Sequence, residues 1–91
     1  MAIISDTVNV PTAGTRVQAA HKGNVKAILL RARTANVNNI YVGGSAVAAA
    51  SGLALAPGES VQLTLTEAIS TSQFWADADT NANKVDLLGS D

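Results

Sequence analysis

The residues able to do chemistry are few, and they lie in three short stretches. Asp77-Ala78-Asp79-Thr80-Asn81-Ala82-Asn83 spaces oxygen-bearing side chains as a calcium loop does. An EF-hand needs glycine at the sixth position and glutamate at the twelfth; Ala82 and Leu88 stand there. A cation site of another kind, using Asp77, Asp79 and Asn81, is the alternative to a plain turn. Asp and Asn suit turns because their side chains bond their own backbone and they tolerate the left-handed conformation. His21, the single histidine, falls in the turn-prone stretch His21-Lys22-Gly23-Asn24 with no base or ligand beside it in sequence. The serines and threonines lie in no nucleophile-elbow context. Gly43-Gly44 has neither the following helix nor the lysine of a phosphate loop. These stretches predict neither catalysis nor a cofactor.

Surface recognition has better candidates. Arg31 and Arg33 share one face of an alternating segment with Leu29, where guanidinium groups can bind a partner's carboxylates or keep the face wet. Phe74 and Trp75 are adjacent, so on a strand they point to opposite faces. Core or subunit-interface packing is expected for both. A stacking platform for sugar rings would need Trp75 exposed, with Tyr41 as its companion. Ala46–Ser51 is too short and too closely flanked by glycines to stand as a helix. It reads as a compact loop, including Ala48 and Ala49, whose small side chains suit close packing at a subunit contact.

The elements that must position these residues are strands. Ser60–Thr66 alternates with Val61, Leu63 and Leu65 on one side, which predicts a half-buried antiparallel strand. Ala56-Pro57-Gly58-Glu59 before it predicts a type II turn with Gly58 at positive φ. With Leu53 and Leu55 ahead of the turn, Leu53–Thr66 reads as a β-hairpin. Val25–Arg33 reads as a central strand with Ile28, Leu30 and Ala32 on its buried face. Further strands are expected at Thr15–Ala19, Ile40–Val42, Phe74–Ala76 and Lys84–Leu88. Asn36–Asn39 is a link and Asp77–Asn83 a turn. Glu67–Ser70 is the one candidate for a helical turn. Residues 1–12 form an N-terminal strand or extended arm, with Ile3 and Ile4 as contact candidates, and 13–91 a single domain. The fold class is therefore all-β: a small antiparallel β-sandwich or jelly-roll-like barrel of seven or eight short strands.

The totals are consistent with that size. Ninety-one residues make one domain. The chain has no cysteine for a disulfide, and much of its 47% hydrophobic content is alanine, so assembly would add burial that the core lacks. A net charge of −1 without a basic block argues against nucleic acid. No apolar run reaches the roughly 20 residues of a membrane-spanning helix. The start, MAIISDTVNV, lacks the basic region of a signal peptide.

Four stretches in order, Asn39-Ile40-Tyr41-Val42-Gly43, Gly52 through Val61 (GLALAPGESV), Trp75 through Thr80 (WADADT) and Lys84-Val85-Asp86-Leu87-Leu88, carry a resemblance. Over Asn36–Leu88 the chain resembles small all-β virion proteins of tailed bacteriophages, of the capsid decoration or cement type. The resemblance implies a non-enzymatic structural protein, made in the host cytoplasm and displayed on the capsid. It also implies that its partner is the major capsid protein and that it is a homo-oligomer, with a trimer favoured. The apolar start through Val10 would then be an arm ordering on a neighbour. The alternative function is a tail or head-fibre module that binds host-surface carbohydrate.

Overall fold

The computed structural model describes residues 3–91. Eight strands and one 3₁₀ turn follow each other along the chain: β1 (Ile3–Val10), β2 (Val17–Gln18), β3 (Asn24–Ala32), β4 (Ile40–Gly43), β5 (Leu53–Leu55), β6 (Ser60–Ser70), the 3₁₀ turn Thr71–Gln73, β7 (Trp75–Ala78) and β8 (Asn83–Ser90). They form two four-stranded antiparallel sheets packed as a β-sandwich, β1-β8-β3-β6 against β2-β7-β4-β5. Alternation explains the layering. Ile28, Leu30 and Ala32 of β3, Val85 and Leu87 of β8, and Val8 and Val10 of β1 are buried on the inner side of the first sheet. Ile40, Val42, Leu55, Ala76 and Ala78 meet them from the second sheet in one contiguous core.

Every link except β4–β5 carries the chain from one sheet to the other. This corrects the expected Leu53–Thr66 hairpin. The turn itself is as expected: Gly58 has φ +87°, and the Glu59 N–H donates to the Ala56 carbonyl at 2.9 Å. Yet β5 pairs with β4 and β6 with β3, so Pro57-Gly58 is a corner between sheets. Backbone bonds from Gly58 N–H to the Ala32 carbonyl and from Ala32 N–H to the Glu59 carbonyl tie that corner to the end of β3.

The helical turn expected at Glu67–Ser70 is also corrected. Those residues continue β6, and the 3₁₀ turn lies just beyond, capped by the Ser70 hydroxyl accepting the Ser72 N–H. Pairing across β3 explains the extension: Val25 meets Ile69 and Asn24 meets Ser70. Between Val25 and Ala27 the register shifts, and the partners Ile69 and Thr64 leave Leu65–Ala68 looped out of the ladder. The strand expected at Phe74–Ala76 runs Trp75–Ala78 instead, so Asp77 is a buried strand residue and the polar turn starts at Asp79.

At the N-terminus, Ile3–Val10 is a strand paired residue by residue with β8, from Ile3 opposite Ser90 to Val10 opposite Asn83. Met1 and Ala2, the start of the expected arm, lie outside the described residues. A deletion through Asp6 would strip half of a paired strand. Two asparagines fasten the other end of β8. Asn36 receives the Lys84 N–H at 2.8 Å and donates to the Lys84 carbonyl at 2.7 Å. Asn83, 2% exposed, receives the Val37 N–H at 3.0 Å and donates to its carbonyl at 2.7 Å. Each side chain thus imitates a strand neighbour for the backbone facing it.

Candidate functional site: the outer face of the β1-β8-β3-β6 sheet

Because side chains alternate, the register that buries Leu30 and Leu87 must turn their neighbours outward. The outer face of the first sheet therefore carries Ile3, Ser5 and Thr7 from β1, Asp86 and Leu88 from β8, and Leu29 and Arg31 from β3, with Arg33 just past its end. Three of the sequence candidates, Ile3, Arg31 and Arg33, meet here. Two adjoining shallow hollows, of about 550 and 290 Å³, share Leu29 and Leu88 as floor. Ile3 is 68% exposed and Leu88 50%.

The two arginines have different fates. Arg33 Nε donates to both Asp86 carboxylate oxygens, at 3.0 and 3.1 Å. Its Nη2 reaches Thr7 Oγ1 at 3.2 Å, and that hydroxyl donates to Asp86 at 2.8 Å. This network laces β1, β8 and β3 together. Both charged partners are a little under half exposed, so the ion pair is worth at most about 1 kcal/mol. Arg31 is exposed, lies opposite Asp86 and Ser60 in the ladder, and makes no side-chain hydrogen bond or ion pair among the described residues. An arginine that makes no ion pair, beside a leucine floor, has the chemistry to meet an acidic and an apolar side chain together.

The remaining candidates scatter. Ile4 points inward and packs on the core, where a Cβ at Gly23 would come within 2.5 Å of its Cδ1. Phe74 packs against the core, while Trp75 is half-buried on the outer side of the second sheet, beside Gly43 and Gln18 in the ladder. The alanine-rich loop folds back on its own sheet. Val47, 2% exposed, is its anchor. A Cβ at Gly52 would lie 2.6 Å from Val47 Cγ2 and 2.9 Å from Tyr41 Cβ, an approach that only glycine permits. Ala48 is half-buried and Ala49 exposed. The small side chains thus serve an internal packing as well as offering a surface.

Tyr41 is 8% exposed, and its hydroxyl donates to Asp79 Oδ2 at 2.8 Å. That bond, then desolvation and the repulsion of tyrosinate by Asp79 and Asp77, raises its pKa from 10.0; a bond with Asn39 opposes the shift. The raised value means that the neutral phenol stabilises the fold below pH 10.0 and that this contribution is lost as pH climbs through the folded-state pKa. Tyr41 is the single tyrosine. Its ultraviolet titration should therefore run above 10.0 in the native protein and fall back toward that value in Asp79→Asn. A titration at 10.0 in both would remove the Asp79 bond from the account.

The cation reading gains no support from this geometry. Asp77 Oδ1 receives the Ala78 N–H at 2.8 Å, Asp79 serves Tyr41, and Asn81 Oδ1 receives the Ala13 N–H at 2.7 Å. Each of the three side chains already has a different protein partner, and no cluster of three or more acidic, histidine or cysteine groups suited to a metal forms among the described residues.

One contact escaped the sequence reading. His21 Nδ1 sits 2.5 Å from Ser70 Oγ, which also contacts Ser72 Oγ at 2.7 Å. No carboxylate bonds His21 among the described residues, and Ser70 Oγ is already the cap of the 3₁₀ turn. The pair closes the β2–β3 link onto the end of β6, alongside Thr71, which donates to the Ala20 carbonyl and accepts the Lys22 N–H. Residues 49 apart in sequence carry no local signal that they meet.

Comparison with protein-family models, with characterised proteins and with solved structures finds no match for this chain.

Proposed function

We propose that this protein is a non-enzymatic structural subunit of a phage particle, a capsid decoration or cement protein that works as a homo-oligomer on the capsid surface. The observation that carries the reading is the outer face of the first sheet, where Arg31, without an ion pair among the described residues, shares a hollow with half-buried Leu29 and exposed Leu88, and exposed Ile3 lines the adjoining one. The major capsid protein is the proposed partner, meeting that face with a carboxylate and an apolar side chain. A specific contact needs only about 1,600 Å² of total buried area, and many copies act together on a shell. The sequence resemblance over Asn36–Leu88 supplies the virion context. The carbohydrate-binding alternative would rest on Trp75 alone, because the glycine-closed loop shields Tyr41.

Quantitative mass spectrometry of purified particles tests the reading. Copy numbers near parity with the major capsid protein are expected. A few copies per particle would place the protein at a vertex, neck or fibre. Absence from the particle would overturn the reading.

A further inference from the structure

Four strands form the edges of the two sheets, and three of them are blunted. β2 is two residues long, and β5 is three residues long and ends beside Ala56-Pro57. β1 carries Asp6 on its core-facing side and ends at Pro11. Shortness, proline and inward charge are the means by which edge strands avoid pairing with other chains. β6 is different in its first half. Its second half is guarded by the looped-out Leu65–Ala68 with Glu67. Ser60–Thr64, however, pairs in unbroken register with β3 from Arg31 to Ala27 and contains no charge, proline or glycine. Among the described residues its other edge faces no strand.

The side chains there are those of an unfinished core. Leu63 lies opposite buried Ile28, on the inner side of the sheet, yet is 42% exposed. Leu53 of β5 lies opposite buried Val42, again on the inner side, and is 51% exposed. β1 packs over β2 and β7, and β8 over β4, so β6 and β5 border the same side of the sandwich. That side is open.

We propose that Ser60–Thr64 pairs antiparallel with the same segment of a second copy, about a two-fold axis at Gln62. The segment is complementary to itself in this register. Val61 meets Leu63 of the copy on the inner side, Ser60 meets Thr64, and Gln62 meets its own equivalent on the outer side. No like charges oppose each other, and the apolar pairs are of the kind that stabilises neighbouring strands. The two sheets become one of eight strands, with both Arg31 surfaces on one continuous face. Such a contact makes a dimer, where the resemblance implies a trimer, and it stands independently of the capsid reading.

The absence of cysteine makes the test clean. Directly opposed residues of antiparallel strands have Cα atoms about 4.5–5.5 Å apart, within disulfide range. Gln62→Cys should cross-link into a covalent dimer under mild oxidation about tenfold faster than Ala68→Cys, on the looped-out stretch, if paired sulfurs are held at this spacing. Sedimentation equilibrium should show a wild-type dimer. Leu63→Lys, a change at an exposed position, should shift it to monomer with the same circular dichroism. A monomeric wild type, or equal cross-linking at the two cysteines, overturns the proposal. A trimer in which Gln62→Cys does not cross-link overturns it equally.

Discussion

Asn83→Leu should melt far below the wild type. The leucine keeps the branch at Cγ but is larger than asparagine and makes neither bond to Val37, so two backbone groups lose their partners at the start of β8. Two hydrogen bonds at about 1 kcal/mol each, with the penalty for groups left unpaired, put the loss at about 2–4 kcal/mol. For a domain of this size that corresponds to a fall in Tm of roughly 10–20 °C. Asn81→Ala is the comparison, because its one bond, to the Ala13 N–H, is exposed; it should cost under about 1 kcal/mol. Thermal unfolding followed by the single tryptophan measures both. Equal melting of Asn83→Leu and wild type would show that water replaces the clamp at no cost. The effect reaches the outer face of the first sheet, since the strand that Asn83 begins also presents Asp86 and Leu88.

Arg31→Glu should abolish decoration of particles while leaving the fold intact. The guanidinium makes no hydrogen bond or ion pair among the described residues, so reversing its charge breaks none; the new carboxylate lies opposite Asp86, which costs at most about 1 kcal/mol of stability. Against a partner's carboxylate it replaces attraction with repulsion in a partly desolvated contact. A loss of at least about 2 kcal/mol, or about thirtyfold in affinity, is expected. Arg16→Glu makes the same charge change in the exposed link before β2 and should decorate normally. Occupancy of particles stripped of the native subunit reads both variants, and matched melting curves separate binding from stability. Normal occupancy by Arg31→Glu would remove the outer face of the first sheet from the capsid contact.

These two residues also mark how far local sequence reaches. Arg31 was legible as a surface group because Ile28, Leu30 and Ala32 alternate with Leu29, Arg31 and Arg33, and a period of two reports which side of a strand is buried. The same logic placed Phe74 and Trp75 on opposite sides, and turn chemistry placed Gly58 at positive φ. Asn83 read only as the end of a polar turn. Its clamp depends on Val37, 46 residues away, and nothing in either neighbourhood announces the pairing.

What the sequence by itself determined is most of the strands, their alternation and the turn at Pro57-Gly58, because alternation and turn chemistry act within a few residues. Strand partners were decided only in three dimensions. A chain that changes sheets at every link but β4–β5 pairs most strands with ones that are not their neighbours in sequence, so the apparent Leu53–Thr66 hairpin is a corner. Glu67–Ser70 has a helix-compatible composition, but Ile69 and Ser70 gain more from the ladder with Val25 and Asn24 than from one isolated turn, whose nucleation is costly. The Arg33–Asp86–Thr7 network, the His21–Ser70 contact and the fold of the alanine loop over Tyr41 all arise from tertiary packing. Each joins groups whose side chains are ordinary in their own sequence neighbourhood and acquire a role only from what the sandwich sets beside them.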